Sequence, residues 1–98
     1  MKLWIDDTRP APAGFEWARD ARAAIRAIAA GEVEFVAFDH FLGGGLSGYD
    51  VACLIEDLAR DGIHPPGWSA HSSDGDACRR IDAAMLSAHH IYNRGYIK

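Results

Sequence analysis

The sequence predicts an α/β fold built on a mostly parallel sheet, and three observations carry that prediction. Short apolar or β-branched runs alternate with segments of helical period, which is the pattern of strands joined by helical crossovers. Three of the apolar runs end in polar residues, "DD", "DH" or "HSS". The chain has 98 residues, 49% of them hydrophobic, enough for one core and one domain spanning 1–98.

Leu3 to Ile5 is a short apolar run between Lys2 and Asp6, suited to a strand buried on both faces. "TRPAPAG" breaks the pattern with two prolines and a glycine, and Arg9, preceding Pro10, is biased toward extended backbone. Phe15 to Ala18, "FEWA", reads as a second short strand with Glu16 facing outward. Asp20 is placed to cap "ARAAIRAIAAG", an alanine-rich helix with Ile25 and Ile28 on one side and Gly31 as its stop. "VEFVAFDH" is the third strand, ending in Asp39 and His40, and "FLGGGLSG" is a loop. From Tyr49 to Arg60, Val51, Leu54, Ile55 and Leu58 recur at helical spacing, and Gly62 closes that helix before Pro65 and Pro66. "GWSAHSS" is the fourth strand candidate. A third helix follows with Ile81, Ala84, Met85 and Ala88 in period, its end near His89 and His90. "IYNRGYIK" reads as either a last short strand or an ordered tail.

A parallel sheet of this kind implies right-handed crossovers, helices on both faces and a ligand crevice at the carboxyl ends of the strands. Asp6 and Asp7, Asp39 with His40, and His71 with Ser72 all stand at such ends. Adjacent strands lie about 4.8 Å apart, so the three clusters can converge on one site.

Carboxylates gathered at one sheet edge suit a hard cation such as Mg²⁺, held by Asp6, Asp7 and Asp39 together with water and a substrate phosphate. The alternative for the pair is that one acid caps a turn and the other is solvated; for Asp39 it is a turn-starting role before the glycines. Arg9 offers a planar guanidinium to a phosphate, or else a salt bridge to Asp7 or Asp39. His40 and His71 sit at strand ends, where an imidazole, with its ordinary pKa of about 6.5, can move protons at neutral pH. Ser72 and Ser73 precede a helix, as N-caps or as phosphate contacts, and Gly43 to Gly48 fit neither a P-loop nor a dinucleotide fingerprint. His64, His89 and His90 read as solvated.

A net charge of -4 with scattered Lys and Arg argues against duplex nucleic acid or a membrane surface as partner, leaving a small phosphorylated ligand or a protein. Cys53 and Cys78 show no metal spacing and read as small buried apolar residues. There is no long apolar span and no secretory pattern in "MKLWIDD", so the expected location is the cytoplasm.

"KLWIDDTRPAPAGFEW", "FDHFLGGGLSGYDV" and "AHSSDGDACRRI" together resemble the cyclic-phosphate processing receiver-like family, derived from response-regulator receiver domains, over roughly residues 2 to 85. The resemblance implies a flavodoxin-like three-layer sandwich of four or five strands, order 2-1-3-4(-5), with the first receiver helix reduced to the "DDTRPAPAG" segment. It matches Asp6 and Asp7 to the family's acidic pair, Arg9 to its arginine, Asp39 and His40 to its D-H pair, and His71 and Ser72 to its H-S pair. Phe41 stands where the family commonly has a second Asp, Asp74 where it commonly has Asn, and Lys98 in the place of a receiver's lysine. The implied activity is phosphodiesterase-like processing of a cyclic phosphate on a nucleotide or related metabolite. Two other readings stay open: a non-catalytic module that sequesters such a ligand or docks a protein, and a receiver that is phosphorylated on Asp39.

Overall fold

The computed structural model describes residues 1–7, 9–38, 48–71 and 75–95. Its elements run β1 (Lys2–Ile5), β2 (Phe15–Ala18), α1 (Ala21–Ala29), β3 (Phe35–Phe38), α2 (Gly48–Arg60), β4 (Gly67–Ala70) and α3 (Gly75–Gly95). The four strands are all parallel and lie in the order β2-β1-β3-β4. This is a flavodoxin-like arrangement, with the change of direction in strand order between β1 and β3.

The helix ends follow the sequence signals. Asp20 Oδ1 accepts the backbone N–H of Ala23 at 2.8 Å, satisfying one orphan donor of α1. At the end of α2, Gly62 adopts φ 88°, its N–H donates to the Ala59 carbonyl, and the Ile63 N–H donates to that of Leu58. That pair of bonds is a Schellman closure, and it needs a residue that enters the left-handed region without a Cβ penalty.

Leu3, Ile5, Val36 and Phe38 point to one face of the sheet, where they meet Ala21, Ala24 and Ile28 of α1, Val51, Ala52 and Ile55 of α2, and Ile81, Met85 and Ala88 of α3. Since α1 packs on α2 and α2 packs extensively on α3, the three helices share that face. The expectation of helices on both faces is therefore corrected: the described residues form a sheet layer and one helical layer. The reason lies in the reduced segment after β1, which supplies a loop in place of the helix that would cover the second face. That face instead carries an aromatic row, with Trp4 edge-on to Phe15 and Phe15 edge-on to Phe35 at centroid distances of 5.9 and 6.3 Å.

Three further expectations change. Residues 91–95 are neither strand nor tail, because α3 continues to Gly95; Ile91 and Tyr92 pack against the core and extend the helical period past His90. Residues 96–98, with Lys98, lie outside the described residues. His89 is half-buried rather than solvated, stacked near Trp68 and donating from Nε2 to the Pro66 carbonyl at 2.9 Å. Cys53 and Cys78 form no disulfide and are half-buried rather than buried. Among the described residues no helix is long and apolar enough to cross a membrane.

Candidate functional site

The carboxyl edge of the sheet is built by the strands running one residue beyond their assigned ends. The Asp6 N–H donates to the Ala18 carbonyl at 3.2 Å, and the His71 N–H donates to that of Phe38 at 2.8 Å. Asp6 is thus tied to β2 and His71 to β3, and both stand on the same edge. In register, Ile5 pairs with Phe38 and Phe38 with Ala70, so Asp6 and His71 are two strand spacings apart, about 10 Å of sheet.

Asp6 is fully buried, which is unusual for a carboxylate. Its Oδ1 accepts the backbone N–H of Arg9 at 2.9 Å, closing the turn that leaves β1. One alternative for the acidic pair thus holds for Asp6, which caps a turn, but its burial goes beyond that role. The second acid is not simply solvated either. Asp7 is half-buried, and its Oδ1 is shielded from water with no hydrogen-bond partner among the described residues. A buried carboxylate oxygen left without a donor is costly, and a hydrogen-bond donor or a cation relieves it. Among the described residues no group of three or more His, Cys, Asp or Glu side chains is placed to hold a metal ion.

Arg9 is anchored by its backbone and open at its side chain. Its N–H is held by Asp6, its carbonyl accepts from Trp4 Nε1 at 3.2 Å, and its guanidinium is exposed with no ion pair among the described residues. The expected salt bridge to Asp7 is absent there. His71 is exposed. Asp39, His40, Ser72 and Ser73, the other residues singled out in the sequence, lie outside the described residues, as do Phe41, Gly43 to Ser47 and Asp74.

Two residues that sequence reasoning did not single out belong to this edge, Trp17 within the second strand and Arg19 just after it. Trp17 lies beside Trp4 in register, and its Nε1 donates to the Asp6 carbonyl at 2.8 Å, while 37% of the residue remains exposed. The Arg19 guanidinium lies 4.8 Å from the Trp17 ring centre. The available signal was a W-x-R spacing on an edge strand, which in a strand puts both side chains on one face.

On the flank formed by α2 and α3, the Tyr49 hydroxyl is pushed above its ordinary pKa, chiefly by its hydrogen bond with Cys53 and the thiol's charge, then by burial and Glu56; Arg80 opposes the shift.

No curated protein and no solved structure matches the chain. The family model described as the cyclic-phosphate processing receiver domain matches residues 1–87, which takes in every described part of the carboxyl edge. By its strand order, its acidic turn after β1 and that match, the chain belongs to the cyclic-phosphate processing receiver domain family.

Proposed function

We propose that this chain hydrolyses a cyclic phosphodiester on a nucleotide or related metabolite, using the carboxyl edge of the sheet as its active site. The observation that carries the reading is Asp7 Oδ1, shielded and without a hydrogen-bond partner among the described residues, beside buried Asp6, next to an exposed arginine and on the same edge as a histidine. Acids that need a cation and a cation that needs an anion together describe a phosphate site.

In this reading Arg9 binds the non-bridging phosphate oxygens, with Ser72 and Ser73 as further contacts. One of His71 and His40 takes a proton from water as its oxygen bonds to phosphorus. The other gives a proton to the ribose oxygen as the P–O bond breaks, leaving an acyclic phosphomonoester and no net change in protons on the histidine pair. Asp6 and Asp7 fit a divalent cation such as Mg²⁺, with Asp39 as the expected third acid. Such an ion, when bound, neutralises charge that builds on the phosphoryl oxygens. Asp6 also fixes the Arg9 backbone by its turn bond, so the arginine is positioned before substrate arrives.

The test is phosphorus NMR of the protein with nucleoside 2′,3′-cyclic phosphates and ribose cyclic phosphates, with and without Mg²⁺. Ring opening that falls about 10²-fold or more in His71→Ala supports hydrolysis. Tight binding without product points to a module that sequesters the ligand, and labelling of Asp39 by acetyl phosphate without either points to a signalling receiver.

A further inference from the structure

We infer that Trp17 is a nucleobase-stacking subsite, so that the preferred substrate is a nucleoside cyclic phosphate rather than a base-free sugar phosphate. The inference rests on the cyclic-phosphate reading and adds the part of the substrate that the phosphate chemistry leaves open. An indole 37% exposed is large apolar surface to leave in water, and this one is not loosely placed. Its Nε1 is bonded to the Asp6 carbonyl at 2.8 Å, so the ring is fixed in orientation directly beside the acid at the centre of the site. Its accessible face is marked by Arg19, whose guanidinium lies 4.8 Å from the ring centre. A planar cation on an exposed ring occupies the same π surface that a base would cover, and an exposed cation–π contact is weaker than base stacking on an aromatic side chain. A base can therefore take the place of the guanidinium and leave Arg19 to the phosphate or ribose. Trp17 and Trp4 are register partners on one face, and Trp4 holds the Arg9 carbonyl. The backbone of the arginine and the stacking ring are thus both tied directly to Asp6.

A strut that merely holds Asp6 would place Trp17 identically, and the experiment separates the two roles. Adenosine 2′,3′-cyclic phosphate and base-free ribose cyclic phosphate are titrated calorimetrically into the His71→Ala protein, which holds substrate without turning it over, and into its Trp17→Ala and Trp17→Phe derivatives. The expected result is a preference of about tenfold or more for the adenosine form with Trp17 present, reduced to near parity by Trp17→Ala. Trp17→Phe, which keeps a stacking ring but lacks the N–H that reaches Asp6, retains most of the preference. Equal affinity for the two ligands with Trp17 present overturns the inference. So does a Trp17→Phe loss of preference as large as that of Trp17→Ala, because the tether would then be the whole effect. The phosphodiesterase reading fails separately, when the wild-type protein opens no cyclic phosphate ring; a base-dependent affinity that needs Trp17 would stand even then.

Discussion

The indole Nε1 of Trp4 donates to the carbonyl oxygen of Arg9 at 3.2 Å, tying the loop that follows β1 back across the strand it came from. Arg9 is the residue whose N–H is held by Asp6 Oδ1, so its backbone is fixed from both sides while its guanidinium stays open. Trp4→Phe removes the indole bond together with part of the ring that meets Phe15, and is expected to lower stability by at least about 0.5–1.5 kcal/mol in urea unfolding. For turnover of a cyclic phosphate it should raise KM more than it lowers kcat, since it loosens a binding group and removes no proton carrier. An unchanged KM would show that Arg9 does not depend on this tether.

Asp7 supplies a carboxylate oxygen shielded from water and without a donor among the described residues. A divalent cation that binds the folded state alone stabilises it by about 1.4 kcal/mol at a free concentration ten times its Kd. Thermal unfolding with Mg²⁺ or Mn²⁺ against chelator should therefore show a rise in Tm, and Asp7→Asn should abolish that rise. In chelator alone Asp7→Asn should be no less stable than wild type, because it removes a charge that nothing described compensates.

The N-cap of α1 is a plain local device, and its contribution can be read alone. Asp20→Ala removes the bond to the Ala23 N–H and should cost about 1 kcal/mol in denaturant unfolding, with Asp20→Ser recovering most of it. Neither variant should alter ligand affinity, since Asp20 opens the helix that follows β2 and makes its bond within α1.

Gly48 begins α2 against the core. A Cβ there would lie 3.4 Å from Ile81 Cδ1 and 3.5 Å from Phe38 Cδ1, ordinary contact for one methyl and no room for more. Gly48→Ala is expected to stay within about 0.5 kcal/mol of wild type, the methyl adding contact and helix propensity. Gly48→Leu should destabilise by about 1–3 kcal/mol through overpacking against both neighbours, measured by urea unfolding.

Element types were legible in the sequence because their signals are local. Asp20, Gly62 and the periodic Val51, Ile55 and Leu58 each act within a few residues, and the strands appear where apolar runs end in acids or histidine. The position of Asp6 and His71 on one edge also followed, from the rule that parallel strands joined by crossovers end on the same side. Limits were set where a local pattern has two readings: "IYNR" continues a helix as readily as it starts a strand, and the packing of Ile91 and Tyr92 on the core decides for the helix.

What the sequence by itself determined is the alternation of elements, their caps and the identity of the polar strand ends. Only the tertiary structure decided that the three described helices cover one face, that the other carries an aromatic row, and that Trp17 reaches Asp6 from the neighbouring strand. The same is true of the acids: adjacency in the chain makes Asp6 and Asp7 look alike, but one is fully buried in a turn bond and the other keeps a shielded oxygen with no partner among the described residues. The physical reason is that periodicity and capping are settled by neighbours in sequence, whereas burial and hydrogen-bond partnership depend on which strands lie side by side, a choice made by the whole core at once.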